Sequence, residues 1–436
     1  MTTAVAPKVP MDVQKGDLES SAAAEPAAMW ISEERLWGLL MEVARFGKTE
    51  NGGVNRPALS NEDIAAKNYL VQWARERGFG CVQDEIGNLF IRREGRDPSL
   101  APVMAGSHLD SQPTGGRFDG AYGVVAGCEV LQALNDAGCK TRRSIEVVSW
   151  TNEEGSRFLP GAMGSSVFAG VRPLSSVLDA KDHDGVSLGE ALSVALKAVP
   201  IEMRPSVGRK VHSYIEAHIE QGPLLEEAGI PIGVVNGIQG ILRLEVDVRG
   251  EEAHAGTTPR RLRKDALSAA VSIISDLERL TSDPTDVLRF TIGRCEVLPG
   301  SPNTVPGRVQ FTIDMRHPDD EVLQELGDRI RAVAEAASKG CAVGMREISN
   351  APPTRFDEGI LALIERSSQA LAYPSKTMPS GAGHDAMHIS KICPTGMIFI
   401  PCHKGISHNE AESATAEHTV KGARVLAETL VALAER

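Results

Sequence analysis

Between residues 106 and 120 the chain reads GSHLDSQPTGGRFDG, which brings His108, Asp110 and Asp119 into one glycine-rich stretch directly after the apolar run PVMA. Carboxylates and an imidazole at that spacing, behind a buried strand, form the pattern of a metal-binding loop. Further donors lie elsewhere: Glu153 and Glu154 follow the apolar run IEVVSW, His218 lies in YIEAHIEQG and His408 in GISHNEAE. Imidazoles and carboxylates without thiolates suit zinc, or manganese or cobalt, in a hydrolytic site. Five ligands hold two ions if one carboxylate bridges, and paired ions can share a hydroxide while polarising a carbonyl. Asp119, between the His and Glu groups, is the expected bridge. Two acidic groups are then surplus. Asp110 can accept the far ring N–H of His108 and fix its tautomer. One of Glu153 and Glu154 can remain unligated as general base. A single loop histidine or Glu-Glu pair is ordinarily structural or solvated; it is their shared placement at strand ends that singles these out. His183, His212, His317, His388, His403 and His418 keep the structural reading.

The elements that must position these groups follow from hydrophobic spacing. A helix begins behind Ser32, and a second runs from about Asn61. Strand 103–107, helix 124–134 and strand 145–150 form the unit that builds parallel sheets, whose ligands bind beyond the carboxyl ends of the strands. From Leu242 the pattern changes to strict alternation, a half-buried antiparallel strand. Thr258 as cap and Pro259 at the first turn then predict a helix over 260–280. Strands over 289–297 and 308–316 and a helix over 320–337 follow. The final segment carries a helix over 355–371, a last core strand over 397–401 and a closing helix over 415–436. The expected fold is therefore α/β: a catalytic domain over 31–239 and 353–436, with a mixed, mainly parallel sheet and helices on both faces, and an inserted α+β sandwich over 240–352. Residues 1–30 read as a disordered tail. Residues 185–189, GVSLG, match a GxSxG nucleophile elbow but lack its preceding strand, so Ser187 and Glu190 read as a capping box.

At 436 residues, two domains are expected. A net charge of −12 excludes a protein held to nucleic acid or anionic lipid by a general positive field. An anionic substrate must meet a local cation. Arg316 qualifies: on a strand whose core face is Val309, Phe311, Ile313 and Met315, it falls on the other face, where a guanidinium can grip a carboxylate with two hydrogen bonds. No apolar run approaches the ~18 residues of a membrane span, and none at the N-terminus has signal-peptide length. Seven scattered cysteines without CxxC spacing read as reduced thiols of a cytoplasmic protein.

Seven motifs in order, SHLDSQPTGGRFDG, TNEEGSRF, EAHIEQGPLLE, GEEAHAGTTP, SPNTVPG with IDMRH, SGAGHDA and GISHNEAE, resemble the amidase/hydantoinase-carbamoylase family of aminoacylase-like dinuclear metallohydrolases, from about residue 31 to the end. The resemblance implies that His108, Asp119 and His218 hold one divalent ion and Asp119, Glu154 and His408 the other, zinc before manganese or cobalt. It makes Glu153 the general base and Asp110 the orienter of His108. It also implies that Gln221, His254, Asn303 and Arg316 contact substrate, with Gly383 and His384 closing over it. The inserted segment becomes a lid and homodimer surface from which His254 and Asn303 can reach the partner subunit's site. The implied reaction is hydrolysis of the carbamoyl C–N bond of an N-carbamoyl-L-amino acid or related ureido acid. A metal-bound hydroxide attacks, Glu153 moves the proton, and His254 or a metal stabilises the oxyanion. Allantoate amidohydrolase and β-ureidopropionase are the alternatives, ahead of a peptidase or a non-catalytic metal-binding homologue.

Overall fold

The computed structural model describes residues 26–205 and 207–436. Most of the expected tail lies outside these. Its last residues differ from the expectation: Ala27–Trp30 is a 3-10 turn with Ala27 and Ala28 buried, and the Ala28 N–H donates to Glu428 Oε1 at 2.8 Å.

The larger sheet has ten strands. Four neighbours at its centre, Thr395–Ile400, Ser213–Ile219, Val103–His108 and Ile145–Trp150, run parallel. Each is buried along its whole length, because helices cover both faces. Val103 and Ala105 pack with helices Glu33–Val43, Ala121–Asp136 and Ala416–Ala434, whereas Met104 joins Phe168, Ala386 and Ile389 on the opposite side. Such double covering explains why these strands read as continuous apolar runs. Antiparallel pairs extend the sheet through Leu89–Arg93 and Gly80–Gln83 on one flank and Ile232–Ile238 on the other. Ile232–Ile238 and its parallel partner Ser375–Ser380 escape the sequence reading, since IGVVNGI is interrupted by glycine and SKTMPS has no apolar alternation.

The second sheet is antiparallel, in the order Arg289–Leu298, Arg308–His317, Gly240–Arg249, Ala342–Ala351. One face buries Leu242, Leu244, Val246 and Val248 with Val309, Phe311, Ile313 and Met315 beneath helices Ala266–Leu280 and Asp320–Ala336. The alternation expected from Leu242 is the inner face of this layer. Two details differ. The helix expected from Arg260 begins at Ala266, capped by the Asp265 side chain on Ser268 N; residues 260–262 form a separate 3-10 turn, closed by the extended Arg263. Edge strand Ala342–Ala351 was not expected, because an exposed edge strand carries no continuous apolar face. The GVSLG segment forms the capping box: Ser187 Oγ accepts from Glu190 N while the Glu190 carboxylate accepts from Ser187 N.

Candidate active site and metal centre

The carboxyl ends of the parallel strands converge on a cavity of about 240 Å³. His108 is the last residue of its strand, His218 sits near the end of the next, and loops beyond two others deliver Glu153, Glu154 and His408. Asp119 stands just before helix Ala121–Asp136. Gly120, the residue between them, has a φ of 63°, and a side chain there would put its Cβ 2.4 Å from the His108 ring. Only glycine lets the loop turn while the histidine lies across it. His408 and Gln221 also adopt left-handed backbone, at φ of 53° and 56°, the kind of strain that persists where surrounding structure over-determines a site.

Two triads form. His108 Nε2 and His218 Nε2 lie 3.7 and 3.2 Å from Asp119 Oδ1, while His408 Nε2 lies 3.4 Å from both Asp119 Oδ2 and Glu154 Oε2. The two oxygens of Asp119 therefore face different triads, as a bridge requires. The Nδ1 atoms of His108 and His218 meet the main-chain carbonyls of Asp110 and Ile219 at 2.8 and 2.9 Å, so each Nε2 faces the cluster, where that of His218 also accepts from Gly120 N at 3.1 Å. Glu154 accepts a hydrogen bond from Gln112 Nε2 at 2.8 Å. Glu153 lies apart from the second triad, its Oε2 3.5 Å from His108 Nε2. This geometry separates two neighbouring glutamates that their order in sequence could not.

The electrostatics suit bound cations. Burial opposes charge on Asp119, yet the close His218 ring and the surrounding imidazoles hold its carboxyl well below the usual range. Burial pushes His108 down to about 4. Burial, then the charges of Asp385 and Glu154, drives Glu153 far up; burial and Asp119 do the same to Glu154. Three carboxylates share the cavity with one cationic side chain among the described lining residues, Arg316, which already donates to Asp314 and the Gly381 carbonyl. Such carboxylates ionise together only with positive charge among them. The donor spacings of 3.2 to 3.7 Å match the separation of about 3.4 Å between ligands held about 2.1 Å from a tetrahedral ion. The five groups fit a pair of divalent ions.

Asp110 differs from its expected contact. Its carboxylate is 4.0 Å from His108 Nδ1 and instead accepts from the half-buried backbone N–H groups of Glu153 and Glu154 at 3.2 and 3.1 Å. Those donors would otherwise be orphaned, so the carboxylate orders the glutamate turn and the carbonyl orients the imidazole. Gln221, Arg316, Gly383 and His384 line the cavity. His254 and Asn303 do not: His254 pairs with Thr304 in an exposed two-stranded ribbon of the second layer, and Ala255 N donates to the Asn303 carbonyl. Three residues of the site escaped the sequence reading, Gln112, Ser407 and Glu412. All three lie inside the motifs that carry the resemblance, so their proximity to ligands in sequence was the available signal.

A chain with this fold and this donor set belongs to peptidase family M20/M25/M40, whose sequence pattern matches residues 104–432. Within it, the chain is 39% identical to an N-carbamoyl-L-amino-acid amidohydrolase of Rhizobium meliloti, over 93% of this chain and 97% of that one. It is 33% identical to an allantoate amidohydrolase of Bacillus subtilis, over 90% and 95%. The crystal structure of an amidase of the hydantoinase/carbamoylase family from Burkholderia multivorans is similar, with a TM-score of 0.88 at 45% identity, covering 93% and 98% of the two chains.

Proposed function

We propose that this protein is a metal-dependent amidohydrolase that removes the carbamoyl group of an N-carbamoyl-L-amino acid, releasing the amino acid, ammonia and carbon dioxide. The observation that carries the reading is the division of Asp119 between two triads in a cavity that also holds an uncommitted carboxylate and one guanidinium. His108, His218 and Asp119 would hold one divalent ion, and Asp119, Glu154 and His408 a second, zinc before manganese or cobalt. Bound there, such ions lower the pKa of water and polarise a carbonyl.

The chain's own residues do the rest. Glu153, raised by burial and neighbouring carboxylates, accepts the proton of the attacking water and returns it to the departing nitrogen. Arg316 exchanges Asp314 for the substrate carboxylate, which its planar fork matches. Gln221, whose amide now donates to Asp119 Oδ2 at 3.0 Å, and the Gly383–His384 loop orient the ureido group. His254 and Asn303 lie off their own cavity, which supports a role in the partner subunit's site across a homodimer. Exposed Leu262, Leu267 and Val271 on the second layer support such an interface. The seven free cysteines support a cytoplasmic setting. Among the described residues no helix is long and apolar enough to cross a membrane.

The Bacillus subtilis relative favours allantoate as the second substrate reading, with N-carbamoyl-β-alanine third. Ammonia release is measured on these and on N-carbamoyl-L- and D-amino acids after chelation and return of zinc, manganese or cobalt. Activity should vanish on chelation and return with metal. Glu153→Gln should lose about 10²–10⁴ in turnover while keeping its metal. Full activity in that variant overturns the base assignment, and turnover of none of the panel overturns the ureido reading.

A further inference from the structure

Behind the second triad lies a carboxylate that binds nothing in the cavity. Glu412 is 1% exposed. Its Oε1 accepts the backbone N–H groups of Phe118 and Asp119 at 2.9 and 3.0 Å, and its Oε2 accepts from Ser407 Oγ at 2.9 Å. Gly116 leaves room for it: a Cβ there would stand 2.0 Å from the Glu412 carboxyl carbon. Glu412 thus joins the segment carrying Asp119 to the one carrying His408, which adjoins Ser407.

The Ser407 hydroxyl has one proton and two acceptors in reach, Glu412 Oε2 at 2.9 Å and Asp119 Oδ2 at 3.2 Å. Asp119 Oδ2 has about two lone-pair directions, and Gln221 Nε2 already donates to that oxygen. A second donor would occupy the direction that an ion between Asp119, Glu154 and His408 must use. We propose that Glu412 is a positioning residue which, by holding the Ser407 proton, keeps Asp119 Oδ2 open and sets the affinity for the ion on the His408 side. This rests on the two-ion reading above.

Glu412→Gln keeps shape and the acceptor for the two backbone N–H groups, but places an NH₂ against Ser407 and turns the hydroxyl toward Asp119. Metal-free full-length protein is titrated with Zn²⁺ against a chromogenic chelator, and with Co²⁺ followed by its visible spectrum. Wild type should take two ions per chain. In Glu412→Gln the second should weaken about 10–100-fold, the scale for lost outer contacts of a metal ligand, with the first unchanged within about threefold. Ser407→Ala alone should leave both affinities near wild type, and adding it to Glu412→Gln should restore the second ion, a rescue that a merely structural role would not produce. If Glu412→Gln does not fold, Glu412→Asp, which shortens the reach to Ser407, should show the same loss and the same rescue. Equal second-ion affinity in wild type and the folded variant, or failure of rescue, overturns the inference alone. A wild type that binds fewer than two ions overturns the two-ion reading and the inference with it.

Discussion

Asp119 shows how much one side chain can be asked to do: its two oxygens face separate triads, its backbone N–H rests on Glu412, and its outer oxygen accepts from Gln221 with Ser407 3.2 Å away. Arg316 is the other critical residue, since it is the cavity's one cation among the described lining residues. Arg316→Lys should raise KM by about 10–100-fold, the scale of a lost charge-assisted hydrogen bond, with metal content unchanged. A KM within twofold of wild type, by steady-state kinetics, removes Arg316 from substrate binding. His388 offers a test away from the site. It is 6% exposed, neither ring nitrogen has a hydrogen-bond partner among the described residues, and burial followed by the charge of Lys391 lowers its pKa to about 4. Between about 6.5 and 4 the unfolded chain binds more protons at this residue than the folded one, so its contribution to stability, intact above that window, is lost as pH falls through it. His388→Phe should flatten the decline of denaturation free energy between pH 6.5 and 4 by on the order of 1–3 kcal/mol; an unchanged slope removes His388 as a cause.

At the scale of elements, local chemistry was legible wherever a side chain acts on its own neighbourhood. The Ser187–Glu190 box and the Ser32 cap are both made by residues within three positions of the group they satisfy. Ser187→Ala should cost about 1 kcal/mol and lower Tm by a few degrees, with ammonia release per enzyme unchanged. Lost turnover would revive a serine nucleophile. The misread elements share a cause. Asp265 displaced Thr258 as the cap because Arg263, bonded back to the Thr258 and Ala255 carbonyls, holds the intervening loop out of the helix. Strand Ser375–Ser380 exists because Ile232–Ile238 offers it a partner, a long-range pairing that periodicity does not encode.

Over the whole molecule, the second layer stands beside the cavity with Arg316 on its strand and Gly381 on the first layer joined by a 2.8 Å hydrogen bond. If that layer also forms the homodimer, sedimentation equilibrium at micromolar concentration should give a dimer. Val271→Glu, on a residue 59% exposed, should then give monomers with lower kcat, because His254 could no longer reach the partner subunit's site; active wild-type monomers would sink that reading. The amino-acid order by itself determined the donor types, the parallel strands that end in them, the alternating second layer and the arginine on its polar face. A strand covered on both faces favours apolar residues, and donors of this kind are His, Asp or Glu; both are properties of residue type. Only the tertiary structure decided that Asp110 meets His108 through its carbonyl, and that Ser407 and Glu412 stand behind Asp119. Those assignments are distances of a few ångströms between atoms up to 294 residues apart along the chain, set by loop backbones such as the left-handed turns at Gln221 and His408. No local pattern of residue types specifies them.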